Sequence, residues 1–425
     1  MGTSEKIGIL LLDVGEPPEY NERTYYSFRS YVEALVNIGF VDKKVLKEDK
    51  GTILQKRENL FPYDSTAGPE LVDAWLNPHK EKASTSREKK GHPGILPQLV
   101  GSYSYLKAKG PGKGEPDFYE MYGFEVCHRW QLMGGFSPYY HQALAVKEHV
   151  KKMLEKKFED KIAMRFAYGQ DPVPHEKKQT PDVVIKDLVK KDKISHLLVA
   201  EHMNVFSDVP TTLYLRKMVE DTLKEIKSKI PVSYTNQLGE NEAMNMGLTA
   251  KVSDELKILP ERSKVMIALS NHGLPPAKVG DYDGSKDSYH ENAQKVFQAA
   301  KNKITQTVKR KGRLEVVQVF VRQMERGFEN DTKVLTPKKA LNMAVSRGYN
   351  YYIDIPYEMP ADGVHVLVKL RQSYGIDPPK WNTSYETNFP YKSMKAKITS
   401  AYFYPEYRTQ AYYMEILRVL QGLLA

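Results

Sequence analysis

The sequence predicts an α/β protein made of two three-layer αβα units, each with a parallel sheet. Three observations predict it. Short runs that are apolar on both faces recur along the chain, as strands covered by helices on each side must be. Amphipathic stretches separate these runs, and that alternation implies parallel strands joined by right-handed crossovers. The length, 425 residues, exceeds what one small core needs and suits two domains. With 41% hydrophobic and 27% charged residues the composition is that of a soluble globular protein, and no stretch approaches the 18 apolar residues of a membrane span.

The elements follow in order. Ile7 to Leu12 is the first strand; the run is short, follows a single Lys and lacks a small-residue cleavage site, so it reads as a buried strand rather than a signal peptide. Residues 43 to about 115 are rich in Lys, Gly, Pro and Ser and read as a long insertion over the first unit. A helix over Tyr140 to Phe158 leads to a strand at Ile162 to Phe166. A helix at Asp182 to Lys190 leads to a strand at His196 to Ala200, and a helix at Thr211 to Lys227 to a strand at Val232 to Tyr234. The domain boundary falls near residue 230, giving units 1–230 and 231–425. The second unit has strands at Val265 to Leu269, Leu314 to Phe320 and Tyr351 to Ile355, with helices at Ser288 to Arg310 and Thr336 to Ser346 between them. Residues 372 to 409 read as irregular, Tyr-rich and Pro-punctuated, before a last helix from about Thr409 to Leu424.

Charge and cysteine content narrow the function. A single cysteine, Cys127, excludes an intrachain disulfide, an iron–sulfur cluster and a Cys-rich zinc site, and chains without disulfides fit the cytoplasm. The net charge of +10 comes largely from Lys on helix faces, as in VKEHVKKMLEKKFEDK. Such charge solvates a helix face; it also attracts an acidic ligand or an anionic surface. No helix-turn-helix, zinc-finger or RNA-binding signature is present, so nucleic acid is not an expected partner.

Three histidines lie just past strand ends: His202 in SHLLVAEHMNVF, His272 in KVMIALSNHGLPP, and His365, ten residues beyond Ile355. Ligands of open α/β sheets bind outside the carboxyl ends of the strands, so three imidazoles from three strands can face one cleft. Imidazole binds Fe, Co, Ni and Zn, and it titrates near neutral pH. Most single histidines are merely structural; His272 stands apart because the Gly273–Leu274–Pro275 turn displays its ring at the sheet edge.

These residues resemble the ferrochelatase family. ALSNHGLPP is similar to the family's strand-end Ser-Ala-His motif; GGFSP, Gly134 to Pro138, resembles its Gly-Gly-x-Ser-Pro turn; and KIGILLLDVGEPPE resembles its opening strand and Gly-x-Pro turn, here Gly15 to Pro17. MRFAYGQDP, VAEHMNVFSDVPTTLY and KVGDYDGSKDSYHENAQKVFQAA are similar to further segments in family order. IDIPYEMPADGVHVLV resembles the stretch leading to the family's Asp-His-x-Glu-Thr-Leu. The likeness spans most of the chain except 43–115 and about 372–405. It departs at one place: Gly363 stands where the family has histidine and His365 where it has glutamate. A His–His pair resembles instead the cobalt- and nickel-inserting relatives that act on sirohydrochlorin.

The resemblance implies a Rossmann-like, chelatase-like fold with an active-site cleft between the two units, and a lyase that inserts a divalent metal into a tetrapyrrole. Ferrous iron and a porphyrin of haem biosynthesis come first, Co²⁺ or Ni²⁺ and sirohydrochlorin second. A haem- or metal-binding protein without catalysis on the same fold is a third reading. The metal is substrate, and no tightly bound cofactor is expected. His272 and His365 would be the catalytic pair; His202, His272, His365 and Glu201 the metal ligands; Tyr25, Tyr26, Arg29, Tyr168 and Glu358 the substrate-binding groups, with Arg29 meeting a macrocycle carboxylate. The stretch YYSFRSYVEAL that holds three of these equally fits a helix packed on its sheet. The basic insertion would suit a peripheral membrane contact or a pathway enzyme, or be a solvated loop.

Overall fold

The computed structural model describes residues 6–18, 129–130, 132–133, 136–169, 179–208, 212–274, 276, 278–279, 282–321, 334–376 and 385–424. The insertion at 43–115, Cys127 and the candidate groups Tyr25, Tyr26 and Arg29 lie outside them.

The described chain forms a mixed α/β structure with two main sheets. Strand β1 (Lys6–Asp13) is followed by helix α1 (Tyr139–Phe158), β2 (Ile162–Tyr168), α2 (Pro181–Lys190), β3 (Ile194–Glu201), α3 (Thr212–Glu225) and β4 (Val232–Tyr234). These strands make a parallel sheet in the order β2-β1-β3-β4. Next come α4 (Glu242–Lys257), β5 (Val265–Asn271), the two-residue strands β6 (Lys278–Val279) and β7 (Tyr282–Asp283), α5 (Tyr289–Thr307), β8 (Leu314–Phe320), α6 (Pro337–Ser346) and β9 (Tyr351–Ile355). A π-helical turn (His365–Leu370) runs into a short α-helical end (Arg371–Ser373), and β10 (Thr387–Tyr391), β11 (Met394–Ile398) and α7 (Pro405–Leu424) close the chain. The second sheet has the order β10-β11-β9-β5-β8, parallel except for the β10–β11 hairpin.

The central strands are buried along their whole length: β5 has no exposed residue, and β1 is buried from Ile7 to Asp13. Their apolar side chains fill both faces, which is why the runs read as continuous rather than alternating. One core joins the two sheets. Leu11, Met164 and Leu198 of the first cluster with Ile267, Leu269 and Ile353 of the second, and Tyr412, Ile416 and Leu420 of α7 belong to the same cluster.

Two segments differ from the sequence expectation. Residues 385–398, read as irregular, hold the β10–β11 hairpin, and α7 starts at Pro405, four residues earlier than expected. In β11 the period of two is plain: Met394, Ala396 and Ile398 are buried, while Lys395 and Lys397 point outward. The neighbouring Tyr and Pro residues drowned that signal. Helix α4 was not anticipated; it opens at Asn241, whose side chain accepts from the Ala243 N–H at 2.9 Å, and its Gly247 gives the Tyr407 side chain room. Strand β4, just beyond residue 230, pairs with β3 and so completes the first sheet.

Candidate active site

β5 and β9 are adjacent parallel strands, with Leu269 opposite Ile355, so the loops leaving their carboxyl ends meet. His272 follows β5 directly. His365 opens the π-helical turn reached from β9. Their rings stack, with centroids 4.5 Å apart and planes inclined by 29°. The structure thus brings together two of the histidines that the sequence singles out.

The turn carrying His272 is held from beneath. Glu358, buried after β9, accepts at one oxygen, Oε2, from Asn271 Nδ2 (2.9 Å), the His272 N–H (2.8 Å) and the Tyr289 hydroxyl (2.6 Å). Tyr289 Oη in turn accepts from the Gly273 N–H at 2.8 Å, and Gly273 takes φ +87°, which a residue with a side chain rarely adopts. Burial pushes the Glu358 carboxyl up to about 7, against these three donors. Nδ1 of His272 lies 3.1 Å from the Gly273 carbonyl. A carbonyl only accepts, so this contact favours the proton on Nδ1, the tautomer that leaves the lone pair on Nε2.

His202 and Glu201 are placed differently. Glu201 ends β3 and His202 follows it, and both are buried. His202 is fully buried, stacks on Tyr412 at 5.1 Å and pairs through Nδ1 with Asp13 Oδ2 at 3.0 Å. Burial pushes its imidazole down, against the pull of Asp13. Glu201 accepts from Arg216 Nε at 2.7 Å; burial pushes it up to about 6 despite that cation. Tyr168 ends β2, buried, with Lys147 Nζ 3.8 Å from its ring centroid. Among the described residues no group of three or more His, Cys, Asp or Glu side chains is arranged to hold a metal ion.

Sequence reasoning passed over two carboxylates at the end of β1. Asp13 is fully buried and bonded to Lys147 Nζ (3.4 Å), His202 Nδ1, the Tyr139 hydroxyl (2.7 Å) and the Gly15 N–H (3.1 Å). Burial opposes its charge, but Lys147 and the His202 and Tyr139 contacts outweigh burial and hold the carboxyl well below its ordinary range. Glu16, three residues on, accepts from the Ser137 hydroxyl and from the Val364 N–H at 3.1 and 3.2 Å. It is half-buried, and burial pushes it up to about 7 against those donors. The Gly-x-Pro turn (15–17), the Ser-Pro of GGFSP and the start of the His365 helix therefore meet at one point. The available signal was an acidic residue ending a fully apolar strand, which in sequence looks like any strand–turn junction.

The carboxyl edges of the two main sheets thus carry a stacked imidazole pair and buried carboxylates. Residues 123–319 match the model of the ferrochelatase family. That stretch includes His272; His365 lies beyond it. No curated protein sequence matches the chain. Among solved structures it is similar to SirB from Bacillus subtilis with Fe³⁺, at 10% identity, over 65% of this chain and 87% of that one, with a TM-score of 0.41. It is also similar to a solute binding protein of an ABC transporter from R. palustris in complex with benzoate, at 11% identity, over 56% of this chain and 57% of that one, with a TM-score of 0.24. No helix of the described residues is long and apolar enough to cross a membrane.

Proposed function

We propose that the protein is a ferrochelatase-type lyase that inserts a divalent metal into a tetrapyrrole, ferrous iron into a porphyrin being the first choice. The observation that carries this reading is the stacked His272–His365 pair at the joined carboxyl ends of β5 and β9. Insertion requires one metal ion to enter and two pyrrole protons to leave. With the proton on Nδ1, the tautomer that the Gly273 carbonyl favours, Nε2 of His272 has the lone pair with which to take a pyrrole proton or hold the arriving ion. The ring of His365, stacked over it, supplies the partner for the other task. Glu358 fixes the backbone of the turn, so the His272 ring is positioned before substrate arrives.

A second reading keeps the chemistry and changes the substrate. Two imidazoles without a carboxylate between them suit cobalt or nickel and sirohydrochlorin. His202 and Glu201, bound to Asp13 and Arg216, are in this account parts of the supporting structure rather than metal ligands.

One assay tests both readings. Protein is mixed anaerobically with protoporphyrin, coproporphyrin or sirohydrochlorin and with Fe²⁺, Co²⁺, Ni²⁺ or Zn²⁺, beside a His272→Ala control. Insertion that the control loses supports the chelatase reading, and the productive pair names the substrate. A folded wild type inert towards every pair contradicts it and leaves a haem or metal carrier as the better account.

A further inference from the structure

Glu16 and His365 are 349 positions apart in sequence, yet the carboxylate of one is fastened to the helix that begins with the other. The Val364 N–H donates to both oxygens of Glu16, and at the same end of the helix the Leu367 N–H donates to the Gly363 carbonyl at 2.8 Å. Glu16 therefore supplies, from another part of the chain, the acceptor that a helix start needs; a charged acceptor at this end is also favoured by the backbone dipole. Gly363 makes the approach feasible. A Cβ on it would lie 2.7 and 2.8 Å from the two Glu16 oxygens, distances no real side chain tolerates.

The carboxylate itself is not free to wander. Gly15 takes φ +79° and its N–H is bound by Asp13; Trp130 Nε1 donates to the Pro17 carbonyl at 3.2 Å; the Ser137 N–H donates to the Pro18 carbonyl at 2.7 Å, and its hydroxyl holds Glu16. A turn held at four points thus grips the residue just before His365.

We infer that Glu16 is a positioning residue of the site: by capping the helix over Gly363 it sets where the His365 ring stands against His272. This rests on the reading of that pair as the reactive centre. It acts through His365 and need not touch substrate.

The test uses the full chain labelled with ¹³C at the histidine ε carbon, with His272→Ala and His365→Ala spectra for assignment. Glu16→Ala is expected to shift the His272 and His365 signals together and leave those of His149 and His196 in place. Glu16→Gln, which keeps one acceptor oxygen, should shift them less. Gly363→Ala should reproduce the Glu16→Ala shifts, because its methyl group evicts the carboxylate. The double variant Glu16→Ala/Gly363→Ala should resemble Glu16→Ala alone, since the methyl then meets no carboxylate. With an active metal–tetrapyrrole pair, Glu16→Ala should lower kcat by about 10- to 100-fold, as expected for a reacting group displaced by about an ångström, with little change in KM. Unmoved His272 and His365 signals in Glu16→Ala and Gly363→Ala would overturn the proposal; should Glu16→Ala not fold, Glu16→Gln and Gly363→Ala decide it. A wild type without insertion activity would count against the chelatase reading, while the spectra would still decide the role of Glu16.

Discussion

At the scale of single residues, the molecule buries ionisable groups at the ends of its central strands. Asp354, at the end of β9, is fully buried and accepts from Ser270 Oγ at 2.6 Å and from the Tyr374 hydroxyl. Burial pushes its carboxyl from the ordinary 3.8 up to about 7, outweighing both donors. A carboxyl raised in this way favours the folded state while protonated. Its contribution is complete below the unfolded value and is lost as pH rises through about 7. Over about pH 4 to 7 the folded chain holds a proton that the unfolded chain has released, so stability falls by about 1.4 kcal/mol per pH unit for such a group. Replacing Asp354→Asn should flatten the pH dependence of urea-unfolding stability by about that slope. An unchanged slope would mean that Asp354 is ionised in the fold. None of this was legible in sequence. Asp13, Glu16 and Asp354 each look like ordinary strand-end residues, and what sets them apart is contact with groups up to 348 positions away. The place of His272 was legible, because a histidine directly after a buried strand has its position fixed by the strand; His365, ten residues past β9, was singled out through the family resemblance.

At the scale of elements, the predicted strands agree with the observed ones to within two residues at each end, because a buried parallel strand needs an uninterrupted apolar run and few other segments have one. Besides the two-residue strands β6 and β7, the elements missed were those whose signal is mixed: α4, half polar and holding a glycine, and the edge hairpin β10–β11. Where the elements meet, backbone packs on backbone. Gly239 follows β4; its N–H donates to Asn204 O at 3.0 Å and its carbonyl accepts from the Tyr357 hydroxyl at 2.6 Å. An added Cβ would fall 2.5 Å from Asn204 O and 2.5 Å from Val296 Cγ1. The carbonyl cannot yield as a flexible side chain can, so Gly239→Ala should cost roughly 1–3 kcal/mol, read as a lower urea midpoint. Gly422→Ala is the control: nothing lies within 4 Å of its added methyl, and in a helix it should be neutral or slightly stabilising. Equal effects at the two sites would contradict the packing argument.

At the scale of the whole molecule, the two sheets share one core, and the last helix fastens them. Tyr412 of α7 donates to the Ala200 carbonyl at the end of β3 at 2.5 Å and stacks on His202. Arg408, fully buried on the same helix, donates to Asn204 Oδ1 at 3.1 Å and to the Met359 carbonyl at 3.2 Å, joining the loops after β3 and β9. The carboxyl edges of both sheets are thereby held as one frame, and the imidazole pair stands in it. The α/β class and its parallel sheets could be read from the sequence; the return of α7 to the first sheet could not, since an amphipathic helix does not say which sheet it covers.

The most direct test of the central claim is a double-mutant cycle of metal insertion across the stacked pair. The rate is measured for wild type, His272→Ala, His365→Ala and the double variant, with the metal and tetrapyrrole the wild type uses. If the two rings act as one centre, each single change removes most of the activity, and the double variant is no slower than the worse single one. Losses that simply multiply, or a His365→Ala variant as active as wild type, would show that the two rings do not act together as that centre.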